Sequence, residues 1–542
     1  MRLSEAFTPK LVTVFREGYG ADELRADLIA GLTVAIVALP LAMALGIASG
    51  ASPREGLVTA ILAGTLISAL GGSRVQIGGP TGAFVVIVAG VIAAHGFNGL
   101  ILATLMAGII LIVSGYAGVG RLMRYVPMPV VTGFTAGIAV IIASGEIGDF
   151  LGLRTGPVPA DFLDKWGAYV RASATINWAA LAIGAGTLAI VIGGRRLAPR
   201  APAYLIALLA ATVAVAMLHL PVERVGDRFH SMPTGIPLPR PLHVTLPLLR
   251  DSFSSAFVIA FLAGIEALLS ATVADGMTGR RHRSGQELVG MGVANIVSAF
   301  FGGLPATGAI ARTATNIRAG ARSPMAGIFH SLFLLAFMIA AGQWLALVPM
   351  TALAAVLLMV AWGMSEFDRF IALLRTDSGE RGVLLLTFLL TVFVDLTVAI
   401  AVGVTLAALL FMRRMSETAG LVPVDLAEEP QLRENLPHGV EVFRFTGPMF
   451  FGVAGEMLEA LRRAGQKPRA IVLRVEQVPY IDVTGANALA TFVRQAKHSG
   501  TEVWLCGLNA QPLEFLAKFE PRYAGARRVA TWAAGLRRLR QA

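Results

Sequence analysis

Apolar residues run through this chain in long stretches with few or no charges, broken by short segments rich in Gly, Pro and Arg. The stretches lie at about 28–48, 55–71, 75–94, 99–118, 126–144, 177–192, 203–219, 252–274, 286–302, 306–320, 324–342, 345–363, 382–394 and 396–412. Their length and low charge predict membrane-spanning helices, fourteen in all. After Arg413 and Arg414 the pattern changes. Residues 440–445, 470–475 and 502–506 read as strands, and 454–464 and 485–499 as helices. That alternation predicts a soluble α/β unit. The resulting division is an N-terminal segment at 1–24, a transmembrane domain at 25–414, a linker at 415–436 and a soluble domain at 437–542.

Composition agrees with the pattern. Of 542 residues, 55% are apolar and 15% charged, with a mean hydropathy of +0.70. Soluble enzymes, fibrous proteins and disordered chains do not have this balance. A single cysteine, Cys506, excludes a disulfide scaffold. The net charge of +11 reads as cytoplasmic loop charge and not as a nucleic-acid surface, since no basic-aromatic stretch accompanies it. Arg74, Arg195, Arg196, Arg280, Arg281, Arg283, Arg318 and Arg322 fall on loops of one side, whereas the short loops opposite carry only Arg54. The positive-inside rule then puts both termini in the cytoplasm, and the first apolar run is long enough to span rather than to be cleaved as a signal.

The chain repeats itself. Gly78-Gly79-Pro80-Thr81-Gly82-Ala83 opens span 3, and Gly302-Gly303-Leu304-Pro305-Ala306-Thr307-Gly308-Ala309 opens span 10. Val126-Pro127-Met128 begins span 5, and Val348-Pro349-Met350 begins span 12. Seven spans separate the copies, so the halves (about 25–219 and 251–412) are inverted in the membrane. Matching segments interrupted by Gly and Pro in inverted halves point to a secondary transporter.

Those two segments are the expected site. Each reads as a short extended stretch followed by a half-helix, which is tolerated at membrane depth only where protein or water covers it. Two half-helices meeting head to head aim their free N–H groups and positive dipole ends at one cavity, which favours an anion. Thr81 and Thr307 either cap these helices or lend a hydroxyl to the ligand. Arg312 raises the anion-attracting potential or serves in an ion pair. Glu266, in the otherwise uncharged span 8 with Ser270 one turn later, suits a coupling site, since a carboxyl held away from water can exchange a proton as its surroundings change; the rival role is an ionised partner for Arg312. Pro40 is expected to kink span 1 at Ala38-Leu39-Pro40 and free a carbonyl to line the cavity. Asp275 is expected to end its helix, Glu287 to belong to loop chemistry, Asp395 to sit in a turn, and Gly133 and Gly137 to pack helices. His95 and His330 lack metal-ligand spacing. No GxxxxGK[ST] motif is present, and no Ser/His/Asp or metal arrangement stands out. In the soluble domain, Asp482 and Thr484 sit at a loop-to-helix junction, either as a cap or as a ligand or phosphorylation site.

Ala38-Leu-Pro40-Leu-Ala42, Gly79-Pro-Thr-Gly-Ala83, Ile265-Glu-Ala-Leu-Leu-Ser270, Ala274-Asp-Gly-Met-Thr-Gly279, Gln286-Glu-Leu288 and Ala306-Thr-Gly-Ala-Ile-Ala-Arg-Thr-Ala-Thr-Asn316 together carry a resemblance. Along nearly its whole length the sequence resembles the SulP family of anion transporters with a C-terminal STAS domain. The resemblance implies a polytopic α-helical membrane protein of 14 transmembrane segments in two inverted 7-segment repeats. As in the uracil permeases, spans 1–4 and 8–11 would form a core that moves like an elevator against a gate, and the cytoplasmic STAS domain would be α/β. It further implies that Thr81, Gly82, Ala83 and Phe84, with Ala309, Ile310, Ala311 and Arg312, hold the anion, and that the protein is a homodimer. In sodium-coupled bicarbonate members the Glu266 position looks like Asp with Thr one turn later, and their turn is richer in Gly than Pro305-Ala-Thr-Gly308. Glu266 with Ser270 therefore favours proton over sodium coupling. Thr484 stands at a shifted position relative to the phosphorylatable Ser of anti-sigma-factor antagonists.

The expectation is a proton-coupled importer of a small oxyanion in a bacterial inner membrane, sulfate first, with a C4-dicarboxylate such as fumarate, or bicarbonate, as runner-up. It needs no cofactor or metal and is not an enzyme. An uncoupled exchanger or channel, and an anion sensor, are the other classes.

Overall fold

The computed structural model describes residues 7–121, 126–156, 158–159, 161–198, 202–229, 235–239, 245–394, 396–418, 420–424, 436–450, 468–518, 526–531, 534–535 and 537–538. Asp395 and the helix expected over 454–464 lie outside them. Packing divides the chain into two compact units, Met1–Val404 and Thr405–Ala542.

Every expected span is a helix or half-helix, spans 1 to 13 within the first unit and span 14 starting in it. Spans 1 and 2 are Ala21–Ala48 and Pro53–Leu70. Spans 3 and 4 share one stretch, Val85–Tyr116, broken at Gly96, where a φ of 66° suits only glycine well. Spans 5 to 7 are Met128–Leu151, Trp178–Leu197 and Ala203–Met217, and spans 8 and 9 are Leu246–Thr278 and Ser284–Phe300. Span 10 is the short Ile310–Arg318, followed by Met325–Leu345, Met350–Met364, Ser378–Phe393 and Leu396–Thr418 as spans 11 to 14. Among the described residues, eight helices are long and apolar enough to cross a membrane by length and composition alone.

Local chemistry sets the ends. At span 2 the Ser52 hydroxyl accepts from Arg54 N–H, Glu55 accepts from Ser52 N–H at 2.9 Å, and Pro53 takes the first helical position. Span 8 runs past Asp275 to Thr278 and stops at Gly279, whose φ is 67°. Asp275 thus does not end its helix. Its carboxylate instead meets His282 Nδ1 at 2.7 Å, and His282 Nε2 lies 3.0 Å from Ser284 Oγ. A Ser/His/Asp chain does arise, therefore, and it clamps the turn between spans 8 and 9. Glu287 is no loop residue. It is buried in the first turn of span 9 and accepts from Gly72 N–H at 2.6 Å and Ser73 N–H at 2.8 Å. Span 1 continues as helix on both sides of Pro40. Ala38, Leu39 and Pro40 are buried, and Ala38 and Leu39 pack with Leu57, Ala60 and Leu334.

Spans 1 and 2 pack on span 11, while spans 8 and 9 pack on spans 3 and 4. Each repeat thereby buries its first two helices against the other repeat, which makes one group of spans 1–4 and 8–11. Span 5 packs on spans 12 and 13, and span 6 on span 12, in a second group. Gly133 and Gly137 allow the contact between spans 5 and 13. A Cβ on Gly133 would stand 2.6 Å from the Leu384 carbonyl oxygen, and one on Gly137 would stand 2.6 Å from Thr391 Cβ.

Asp27 locks span 1 to the turn between spans 10 and 11. Fully buried, it accepts from the N–H groups of Arg322 (2.7 Å) and Ser323 (3.1 Å), and from the hydroxyls of Ser323 and Tyr19. Asp27→Ala strands two N–H groups, each at a cost of about 1–3 kcal/mol. The melting temperature of the purified full chain should fall by on the order of 5 °C, and Asp27→Asn, which keeps one acceptor, should fall less.

The first unit holds two short strands, β1 (Gly78–Gly79) and β2 (Thr307–Gly308), and the second a five-stranded sheet with its strands in chain order, β3 (Gly420–Pro423), β4 (Val440–Thr446), β5 (Ala470–Gln477), β6 (Glu502–Cys506) and β7 (Ala526–Val529). β3 pairs antiparallel with β4, and the other pairs are parallel. β3 falls within the segment expected to be linker, because a four-residue strand carries too little pattern to be read alone. Ile471 and Leu473 face one apolar cluster with Leu489 and Phe492 of helix Val483–His498, and Val472 faces another with Trp504 and Cys506. Apolar residues on both faces are what a covered parallel strand requires.

Candidate functional site

Two two-residue strands lie in the middle of the first unit. β1 (Gly78–Gly79) and β2 (Thr307–Gly308) pair antiparallel, Gly78 with Gly308 and Gly79 with Thr307, and Ala309 N–H adds a bond of 2.8 Å to Ile77 C=O. Each strand leads into a helix. After Thr81 comes the 3₁₀ turn Gly82–Phe84 and then Val85–Tyr116, and after Ala309 comes Ile310–Arg318. Antiparallel strands aim their helices in opposite directions, so the two N-terminal ends flank one place. The first-turn N–H groups of each have no acceptor within their helix.

Side chains from other spans hold this geometry. The Asn295 amide bonds both backbone groups of Ala306, at 2.9 and 2.8 Å. Ser298 Oγ donates to Leu304 C=O at 2.8 Å, and Leu304 N–H donates to Thr59 Oγ1 at 2.6 Å. Thr313 Oγ1 accepts from Ile77 N–H at 3.0 Å, and Asn316 donates to Val75 C=O at 2.8 Å. None of these positioning residues was singled out from sequence, although Thr313 and Asn316 show the spacing of one helix face.

Thr81 caps nothing with its side chain. Its hydroxyl donates to Glu266 Oε2 at 2.9 Å. Thr307 is neither a cap nor a free hydroxyl, since it is fully buried and donates to Ala263 C=O at 2.8 Å. Ser270, also fully buried, donates to Thr313 Oγ1 at 3.2 Å and so supports span 10 from behind. Arg312 is 6% exposed, and its guanidinium donates to Pro80 C=O. It reaches there because Gly79 has no side chain. At its φ of 148° a Cβ would stand 2.7 Å from Arg312 Nη1. No ion pair joins Arg312 to Glu266 among the described residues. Ile310, 38% exposed, and Ala311 face open space at the head of span 10, whereas Gly82, Ala83 and Phe84 are buried. Thr81 and Glu266 are half-buried. The assembled arrangement is one cation, one carboxyl and two positive helix ends around a single point, which can hold a small anion beside a protonatable group.

Elsewhere the expected residues are dispersed. His95 lines a cavity of about 320 Å³ with Asp161, Ser255 and Thr391. His330 is fully buried. Asp482 Oδ1 accepts from Gly485 N–H at 2.7 Å and caps its helix, with Thr484 exposed beside it. No group of acidic, His or Cys side chains fit to hold a metal occurs among the described residues.

Interlocked inverted repeats with broken spans at their centre define a multi-pass membrane transporter. The chain belongs to the sulfate permease family, whose model matches residues 24–387, and a STAS domain matches residues 431–520. It is 39% identical over 505 residues to YvdB of Bacillus subtilis, a candidate sulfate transporter, covering 93% of this chain and 95% of that one. It is 31% identical over 524 residues to the bicarbonate transporter BicA of Picosynechococcus, covering 92% and 91%. The murine anion transporter Slc26a9, solved in an inward-facing state, has the same fold: TM-score 0.86 at 16% identity, over 100% of this chain and 95% of that one.

Proposed function

We propose that this chain is a secondary active transporter, and not an enzyme, that takes up a small oxyanion together with a proton. Sulfate is the first candidate. The observation that carries the reading is the hydrogen bond between Thr81, at the head of the span 3 half-helix, and Glu266. A carboxyl bonded to the anion-binding end itself can exchange its proton as the anion arrives and leaves. The anion would sit between Thr81, Gly82, Ala83 and Phe84 on one side and Ala309, Ile310, Ala311 and Arg312 on the other, with Glu266 coupling and Ser270 supporting. Protons are favoured over sodium. Spans 1–4 and 8–11 would carry the anion past spans 5–7 and 12–14 in an elevator-like movement.

The setting proposed is a bacterial inner membrane, with a homodimer whose termini are both cytoplasmic and the domain bounds given above. Asp482 and Thr484 remain the regulatory candidates of the STAS domain. Bicarbonate is a second reading, favoured by the likeness to BicA, and fumarate a third.

The test is uptake of labelled sulfate, bicarbonate and fumarate into proteoliposomes with and without an inward proton gradient. Accumulation of one anion only under the gradient supports the reading, and gradient-independent exchange overturns the coupling. In the same assay Thr81→Val, which removes the hydroxyl and keeps the shape, should lower uptake about tenfold, as expected for a lost bond to a charged group. Thr81→Ser should keep most of the activity.

A further inference from the structure

We propose that Met364, at the end of span 12, is the wall that closes the anion site on the span 3 side and sets the size of anion it admits. The proposal deepens the transport reading and rests on it. Gly82 is the first residue after Thr81, and its missing side chain leaves a notch at the head of the half-helix. The sulfur of Met364 fills that notch. A Cβ on Gly82 would collide with Met364 Sδ and would stand 3.4 Å from Met364 Cε and 3.5 Å from Ile142 Cδ1. Met364 itself is half-buried and packs against the apolar cluster that contains Ala83, Phe84 and Ile142.

The two helix ends of the site are therefore unequal. At span 10, Ile310 and Ala311 are exposed, whereas at span 3 Gly82 to Phe84 are covered, and the cover at Gly82 comes from the other group of spans. Met suits such a cover. It has three rotatable bonds and a soft, weakly accepting sulfur, so it excludes water without occupying the amides as a strong acceptor would. It can also swing aside for an anion that fits. A larger anion must displace more of it. Shortening the side chain should widen the site, while a change of equal volume should not.

The experiment uses the full chain in proteoliposomes and compares uptake of labelled sulfate, bicarbonate and fumarate by wild type, Met364→Ala and Met364→Leu. Met364→Ala should raise the ratio of fumarate to the smaller anions at least tenfold, with Met364→Leu within twofold of wild type. An unchanged ratio in Met364→Ala overturns the proposal. A second arm places a thiol at the wall with Met364→Cys and follows its alkylation by a negatively charged reagent. The native thiol Cys506 lies fully buried in the β-sheet, and burial pushes it up to about 11, which keeps background labelling low. Sulfate or bicarbonate should slow alkylation at position 364 at least fivefold. Slowing without flux in wild type would sustain the wall and overturn transport. Flux in wild type, with neither slowing nor a changed ratio, would sustain transport and overturn the wall.

Discussion

Glu266→Gln is expected to collapse proton-driven accumulation from about 100-fold to about onefold in proteoliposomes held at zero membrane potential with an inward gradient of about two pH units. The figure follows from coupling: one proton crossing one pH unit supplies about 1.4 kcal/mol, a factor of ten in concentration, so two units support about 100-fold for one proton per anion. Gln has nearly the shape of Glu and retains an oxygen that can accept from Thr81, so the bond at 2.9 Å can re-form. What it loses is the proton. The variant should therefore still exchange external for internal anion, and counterflow of labelled anion should stay within a few-fold of wild type. Undiminished accumulation would assign coupling to another group. Loss of counterflow as well would make Glu266 part of the binding geometry.

Arg312→Gln should weaken anion binding about 100-fold, read as a rise in the concentration for half-maximal uptake. A unit charge about 5 Å from a bound anion contributes about 3 kcal/mol at an effective dielectric constant of 20. Gln keeps part of the arginine stem but ends two bonds short of the Nη2 that donates to Pro80 C=O, so its melting temperature should fall, though less than that of Arg312→Ala. Arg312→Ala removes both the charge and the donor at Pro80, and it empties the notch that Gly79 leaves open. It should lose stability as well as affinity. Arg312→Lys retains the charge without the planar fork, so its affinity should fall between those of wild type and Arg312→Gln. Equal affinity in Arg312→Gln and wild type would show that the helix ends alone bind the anion.

Both predictions concern residues that are conspicuous in sequence. A lone carboxyl in an apolar span and an Arg just inside a half-helix break a local rule, and such breaks are visible without a fold. The positions of the spans, the break before each half-helix, the inverted halves and the α/β character of the C-terminal domain are legible for the same reason. The spans, the breaks and the α/β character follow from composition or period within about twenty neighbouring residues, and the inverted halves from matching motifs with an odd number of spans between them.

What side chains do to one another is a different matter. Thr81 looked like a cap or a ligand and turns out to hold Glu266, 185 residues away. Thr307, its counterpart in the repeat, holds a backbone carbonyl instead. Ser270 looked like a partner of Glu266, one turn along the same helix, yet it braces Thr313. Asp275 looked like the end of a helix that continues to Thr278. Matching sequence in the two repeats did not entail matching roles, because each hydroxyl bonds whichever polar atom the packing brings within about 3 Å, in its own repeat or the other.

By itself, then, the sequence determined where the chain crosses the membrane, that it does so in two opposed halves, and that their broken spans supply an anion-favouring end each. Hydrophobic period, Gly and Pro act locally, so these survive without knowledge of neighbours. Only the tertiary structure decided that the two breaks pair as strands, that Asn295, Thr59 and Thr313 pin them, and that Met364 lies in the notch at Gly82. Those contacts join residues far apart in the chain, Thr59 to Leu304 across 245 positions and Gly82 to Met364 across more. They depend on how closely packed helices approach, which no local pattern records.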